Sequence, residues 1–397
     1  MTKFTTGFWV LSRMQLSDVL HQNAAHGRIQ RAMSARRMPH AYLFTGPEGI
    51  GKEMLAVRLA TVLLCESPRR IEPPASLALP DLNSWQDACG RCVDCELMQA
   101  GNHPDFHRIH RTLNRLHPDR EVQKRKATEL GIDVIRHFLI DKAGLSPSRG
   151  RAKIFVIVDG DRLNANSQNA MLKTLEEPPE HSYIILLSTS GDLLLDTTRS
   201  RCHQIGFRNL PTQFVREFLM TEHGADAATA NFLAELSQGS PGRASQLLNL
   251  GIAEHVEPVV AAMANAPGDP LAFASFLVDL SKKLAVAFRL LGKDDDVDDD
   301  ETADLNTSRL GQTYTLAIVG CLLRDVQRMA MGVAAASLPG SATLRSIASH
   351  RDPRSIRTAI QAVASAESQI HRNAQAQLVF DVASLATADA LGPPVGV

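Results

Sequence analysis

The segment 46–53, GPEGIGKE, has the glycine and lysine spacing of a phosphate-binding loop. In such a loop, backbone N–H groups and the lysine surround phosphate oxygens at the start of a helix. The next residue is normally Ser or Thr, whose hydroxyl binds Mg²⁺; here it is Glu53. We therefore predict that Gly46, Gly49, Gly51 and Lys52 form a degenerate phosphate site without ATP hydrolysis. Whether nucleotide still binds at Lys52 stays open.

A second nucleotide-site feature is the apolar run 154–158, which ends in Asp159. An acid after such a strand can orient magnesium, although it can equally cap the next turn. Hydrolysing proteins place a water-activating Glu after this Asp, and this sequence has Gly160, with Asp161 one residue further on. Glu53 in place of Ser or Thr, and Gly160 in place of Glu, both indicate that ATP hydrolysis has been lost.

Four cysteines form a candidate metal site: Cys65, Cys89, Cys92 and Cys95. The two C-x-x-C steps of the last three suit tetrahedral Zn²⁺, and four thiolates leave no open position for catalysis. We predict one structural zinc ion. Cys65 is the least certain ligand because of its long spacing from Cys89, and His103 is the substitute.

Arg201 follows a strand and precedes a predicted edge strand at 202–207. It is either a surface residue paired with a carboxylate, or an arginine finger that contacts the γ-phosphate bound by a neighbouring subunit. Its position does not separate the two.

These residues lie on alternating strand and helix patterns. The segments 41–44, 153–158 and 183–187 have the apolar character of buried parallel strands, and 52–64 and 166–176 have helical patterns. Segments 68–80 and 111–127 are predicted loops or insertions. After residue 207 only helical patterns occur, including 228–236, 271–290 and 355–365, and the acidic run 294–304 is predicted to be a solvated loop. The fold class is α/β, a three-layer parallel sheet followed by helices.

Composition narrows the class of protein. The formal net charge is −1, with 44% hydrophobic residues, which argues against a protein that holds nucleic acid by net charge. A stand-alone zinc-dependent DNA-binding protein is therefore the weakest alternative. No apolar run has the length of a membrane span or a signal peptide, so we expect a cytoplasmic protein without a membrane partner.

Together, the motifs resemble the AAA+ subunits of the bacterial DNA polymerase III clamp loader. The resemblance covers about residues 14–250 and depends on HAYLF at 40–44, the glycine-rich loop, the cysteine insertion, NAMLKTLEEPP at 169–179 and SRC at 200–202. It implies an AAA+ domain at 1–207 with a zinc module at 65–95, a helical lid at 208–250 and a helical collar at 251–397.

Two kinds of clamp-loader subunit share this pattern, the gamma/tau ATPase and a subunit with a lost nucleotide site. Glu53 and Gly160 favour the second kind, with an active gamma/tau-like ATPase as the alternative. The resemblance implies that Arg201 is an arginine finger acting in trans and that Arg243 matches a nucleotide-contacting arginine. It also implies a heteropentamer with gamma/tau and delta subunits, which loads a sliding clamp onto primed DNA. The isolated chain is expected not to be catalytic.

Overall fold

The computed structural model describes residues 15–77, 79, 81–149, 151–292, 301–333, 340–349 and 351–392. The chain forms two compact units, Met1–Leu210 and Pro211–Val397. The further division of the helical half at residue 250 stays a prediction.

The first unit is built on a parallel five-stranded sheet with the order β4-β5-β6-β1-β7. Its strands are β1 (Ala41–Thr45), β4 (Phe106–Ile109), β5 (Lys153–Ile157), β6 (Ser182–Ser188) and β7 (His203–Gly206). A separate antiparallel pair consists of β2 (Arg69–Ile71) and β3 (Trp85–Asp87). The predicted parallel α/β domain is confirmed.

Helices of the first unit connect these strands. They are α1 (Asn23–Ser34), α2 (Lys52–Leu64), α3 (Val93–Gln99), α4 (Arg120–Gln123), α5 (Ile132–Ile135), α6 (Asp141–Ala143), α7 (Ala165–Glu176) and α8 (Asp196–Arg199). Side chains from β1, β5, β6, α5 and α7 form one buried cluster, which includes Leu43, Phe155, Leu186 and Met171. The strand residues of this cluster alternate along each strand and therefore lie on one face of the sheet. The alternate residues on the other face are also buried, so the central strands are apolar on both faces: Tyr42, Phe44, Ile154, Val156 and Ile185.

The position of β1 in the sheet locates the candidate site. β1 pairs with β6 on one side and β7 on the other, and neither strand is its neighbour in sequence. Chain connections therefore diverge at the carboxyl end of β1, the place where parallel sheets bind ligands. The glycine-rich loop begins there.

The second unit is helical over its described residues. Its helices are α9 (Thr212–His223), α10 (Ala227–Leu236), α11 (Pro241–Asn249), α12 (Val256–Asn265), α13 (Pro270–Gly292), α14 (Glu301–Ala330), α15 (Ser341–Ala348), α16 (Pro353–His371) and α17 (Ala376–Leu391). Helix α13 packs against α14 and α17, and α16 packs between α14 and α17.

Three loop predictions need correction. Residues 301–304 of the acidic run begin α14; residues 294–300 lie outside the described ranges. The segment 68–80 contains β2, although its residues 78 and 80 are not described, and 111–127 contains a 3₁₀ helix, Arg111–Leu116, and α4.

No single helix in the described ranges is long and apolar enough to cross a bilayer. One bent pair, Pro241–Asn249 with Ile252–Asn265, reaches that length and hydropathy only together, with 68° between the two helices.

Candidate functional site

The glycine-rich loop joins β1 to α2 and has the backbone expected for phosphate binding. Gly46, Gly49 and Gly51 have φ values of +142°, +71° and +96°, which L-residues rarely adopt. A Cβ atom on Gly46 would lie 2.6 Å from the carbonyl oxygen of Phe207. Glycine at position 46 is therefore required both by the backbone and by the close approach of the segment after β7.

Lys52, the first residue of α2, folds back onto this loop. Its Nζ donates hydrogen bonds to the carbonyl oxygens of Gly46 and Pro47, the latter at 2.6 Å. The side chain is buried, and burial lowers the pKa of Lys52, while Glu48 and Asp161 act in the opposite direction. Phosphate oxygens would have to compete with these loop carbonyls for the ammonium group.

Glu53 occupies the position where a magnesium-binding hydroxyl would lie. Its Oε1 accepts a hydrogen bond from Nε of Arg108 on β4 at 2.6 Å. The ion pair neutralises the carboxylate and fixes it against the neighbouring strand. Position 53 therefore carries a carboxylate that is paired with an arginine of the same chain.

The segment after β5 also lacks the groups of a hydrolytic site. Asp159 accepts the backbone N–H of Arg111 at 2.8 Å through Oδ2, so its carboxylate holds the chain that follows β4 and does not cap the next turn. A Cβ atom at Gly160 would lie 2.3 Å from the carbonyl oxygen of Leu187. The backbone therefore leaves no room for the missing Glu.

Asp161 does not substitute for that Glu in this arrangement. Both of its carboxylate oxygens accept the backbone N–H of Thr189 at 2.9 Å, and Oδ1 also accepts the Ser188 hydroxyl. The side chain therefore joins the turn after β5 to the end of β6. This contact depends on tertiary packing and has no signal in the sequence.

The four cysteines come together as one group. Their sulfur atoms all lie within 4.8 Å of one another, with 3.8 Å between Cys65 and Cys92 and 3.9 Å between Cys89 and Cys95. Tetrahedral zinc with ~2.3 Å bonds to sulfur places its ligands about 3.8 Å apart. Burial raises the pKa of Cys65 and of Cys95, so a cation that stabilises thiolates is suited to this pocket.

The long spacing between Cys65 and Cys89 has a simple structural explanation. Cys65 directly follows α2 and precedes β2, and Cys89 follows β3. Because β2 and β3 pair with Arg69 opposite Asp87, the hairpin returns the chain to its starting point. The Cys89 N–H lies 3.3 Å from the Cys65 sulfur.

His103, the alternative ligand, is engaged elsewhere. Its Nε2 lies 3.2 Å from Asp94 Oδ1, and its Nδ1 accepts the Asp105 N–H at 3.1 Å. Arg149 also binds Asp94 through Nε, and its N–H donates to Asp105 at 2.8 Å. This buried network fastens the cysteine module to the parallel sheet.

The two remaining arginines of the predicted site lie in different units. Arg201 precedes β7 and pairs with Glu176 at the end of α7, with 2.6 Å between Nε and Oε1. Arg243 lies in the second unit, where its N–H donates to the Ser240 cap of α11 at 3.1 Å. The loop, Asp159 and the cysteine group all lie within the first unit, but the loop is at the start of α2 and Cys65 is at its other end.

The first unit is an α/β domain with a parallel sheet, and the lysine of its glycine-rich loop is bonded to carbonyl oxygens of the same loop. Residues 21–211 match the family described as "DNA polymerase III, delta subunit". The resemblance predicted from the motifs is confirmed: this segment, just under half of the chain, is similar to that DNA polymerase III family.

Among its relatives is the DNA polymerase III subunit delta′ of Escherichia coli (strain K12), which is 31% identical over 55% of this chain and 58% of its own length. The delta′ subunit of Pseudomonas aeruginosa is 33% identical over 59% of this chain and 61% of its own length. The tau subunit of E. coli is 31% identical, over 60% of this chain and 33% of tau. The chain thus spans about three fifths of the two delta′ relatives.

Proposed function

We propose that this chain is the delta′-type subunit of a DNA polymerase III clamp loader, an AAA+ protein that does not hydrolyse ATP itself. The observation that carries the proposal is the state of its phosphate site. Lys52 is bound by loop carbonyls, Glu53 is paired with Arg108, and Gly160 packs against the Leu187 carbonyl. Each of these contacts fills a place that magnesium, nucleotide or attacking water would need.

In this proposal Arg201 acts in trans on ATP bound by a neighbouring gamma/tau-type subunit. The guanidinium lies at the surface of the first unit, with 33% of its side chain exposed, so a second protein can reach it. A guanidinium stabilises the charge that develops on the transferred phosphoryl group. Arg243 is proposed to keep at most a residual role, since it depends on nucleotide being present.

The partners follow from the same proposal. The chain would form a heteropentamer with gamma/tau and delta subunits in the cytoplasm, through a collar after residue 250 and a lid at 208–250. The assembly would place a sliding clamp on primed DNA. The cysteine group would hold one structural zinc ion, for which the sulfur spacing of 3.8–3.9 Å is suitable.

The test is ATP turnover by the reconstituted complex with clamp and primed DNA. Arg201→Ala should lower turnover by ~10³-fold at the dependent site, whereas the purified chain should be inactive with or without the substitution. Arg199 supplies a matched control because it lies two residues away and both of its Nη atoms are paired with carboxylates, Nη1 with Asp192 and Nη2 with Asp196. Arg199→Ala should leave turnover near the wild-type rate.

Two results would overturn the proposal. Steady ATP hydrolysis by the purified chain would identify an active, tau-like ATPase. Equal turnover by the Arg201→Ala and wild-type complexes would remove the trans-acting role.

A further inference from the structure

The Arg201 guanidinium is held along one edge by a single carboxylate oxygen. Both Nε and Nη2 of Arg201 bond to Oε1 of Glu176, the Nε bond being 2.6 Å long. On the other side, Nη1 donates to the carbonyl oxygen of Thr197 at 2.8 Å. These bonds fix the plane of the guanidinium from two directions.

These bonds leave some N–H groups of the Arg201 guanidinium unused. A guanidinium has five N–H groups in a rigid plane, and the short contacts in the described part of the chain use three. The Ser200 hydroxyl lies 3.5 Å from Nη1, which makes it a weak acceptor. One N–H group on Nη1 and one on Nη2, here called the outer N–H groups, are not used by these short contacts, and a phosphate oxygen could accept them.

Glu176 occupies a position that helix electrostatics does not favour. It is the last residue of α7, and a carboxylate at the negative end of a helix dipole is destabilising. Its exposed fraction is 47%, and exposed ion pairs contribute little to the free energy of folding because water and salt screen them. Neither helix formation nor protein stability therefore accounts for an acid at this place.

We propose that Glu176 is a positioning residue that orients Arg201 toward the nucleotide of the adjacent subunit. By occupying the Nε edge, it turns the outer N–H groups away from its own protein and toward the partner. This inference rests on the proposed trans-acting role of Arg201 and names the residue that prepares it. Preorganised donors stabilise a transition state without reorganising during the reaction. Loss of Glu176 should therefore lower kcat and leave KM nearly unchanged.

The chain offers a matched control at the next position. Glu177 carries the same charge at the same end of α7, and no ion pair of Glu177 occurs within the described ranges. In the reconstituted complex with clamp and primed DNA, Glu176→Ala should lower kcat for ATP about tenfold, because misplaced catalytic groups lose rate steeply. The KM for ATP should stay within about twofold, and Glu177→Ala should behave as wild type in both constants.

A second variant protects the test against misassembly. Glu176→Gln keeps an acceptor oxygen but removes the charge, so kcat should fall only about two- to threefold, since neutral hydrogen bonds hold a guanidinium less firmly. Should Glu176→Ala fail to enter the complex, the Gln variant decides alone. Wild-type kcat in it would then overturn the inference.

The remaining outcomes separate the inference from the function on which it rests. If Arg201→Ala slows turnover but Glu176→Ala matches Glu177→Ala, Glu176 is not a positioning residue and the trans-acting role stands. A change in KM alone, or a faster kcat, would also overturn the inference. If Arg201→Ala has no effect, the proposed function itself fails.

Discussion

Glu53 of α2 and Arg108 of β4 form an ion pair with 2.6 Å between Oε1 and Nε. The pair joins the start of the helix that follows the phosphate loop to the edge strand of the sheet. It explains how a carboxylate is accommodated beside a loop built for anions, since its charge is balanced by a neighbouring strand.

Glu53→Thr should restore a magnesium ligand without restoring hydrolysis. Removal of the carboxylate and gain of a hydroxyl should strengthen Mg²⁺-dependent binding of ADP at least about tenfold, an order of 1.4 kcal/mol. Turnover should stay absent because Gly160 offers no water-activating group. Calorimetric titration measures the first effect and phosphate release the second.

The control for this variant is Glu48→Thr, which makes the same change within the loop but not at the magnesium position. Equal gains in the two variants would show that loop charge alone sets the affinity. Unchanged affinity in Glu53→Thr would indicate that the contacts of Lys52 with the loop carbonyls keep the site closed.

Gly160→Ala should destabilise the protein. The added Cβ would lie 2.3 Å from the Leu187 carbonyl oxygen, so strand β6 or the turn must shift, at a cost of about 1–3 kcal/mol. Gly206 at the end of β7 is the control, since no atom lies within 4 Å of its built Cβ. Urea unfolding of both variants measures the difference; equal stabilities would mean that the turn relaxes freely.

Cys65→Ala should remove zinc from the purified chain. With three thiolates left, metal content should fall from about one equivalent to well below one half, and the domain should lose several kcal/mol of stability. Cys202→Ala, a buried cysteine outside the group, should retain the metal. Elemental analysis gives the result, and zinc retained in Cys65→Ala but lost in His103→Ala would reverse the ligand assignment.

Stability should fall in mild acid because of His107. Burial, with Lys142 and Lys153 nearby, lowers the pKa of His107 from 6.5 to about 4, and its buried Nε2 has no hydrogen-bond partner among the described residues. The folded state therefore favours the neutral ring. This contribution is fully present above pH 6.5 and is lost as the pH falls from 6.5 toward 4.

Over that range the loss should amount to about 3 kcal/mol. The substitution His107→Phe retains a ring to stack on Phe155, whose centroid lies 4.9 Å away, and should flatten this part of the pH profile. Urea unfolding at several pH values tests it, and parallel profiles for the two proteins would contradict it. His26 and His103, whose pKa values burial also lowers, are common to both proteins.

Local sequence patterns predicted the elements that have strong periodicity. The helix at 52–64 was predicted with its observed bounds, and β1, β5 and β6 were predicted within one or two residues. The two patterns are distinct because a strand buried on both faces is apolar almost throughout, whereas a helix repeats its apolar residues at a spacing of three to four. Edge strand β4 was not predicted, since its residues, FHRI, mix polar and apolar types.

The candidate site was predicted by residue type, but its contacts were not. Loop glycines and cysteine steps are local in sequence, whereas the partners of Glu53, Asp161 and Arg201 lie on other elements. The short hairpin of β2 and β3 also escaped prediction, because three-residue polar strands have no periodicity to detect. The hairpin brings Cys65 next to Cys89 despite their long spacing in sequence.

Because β2 pairs with β3, the distance between the Cys65 and Cys89 sulfur atoms does not depend on how many residues separate them in sequence. The span 72–84, which connects the two strands, could therefore be shorter or longer while both sulfur atoms stay in place. Relatives of this protein could therefore differ widely in that span and still present the same ligand set. A search that demands a fixed distance along the chain would overlook them.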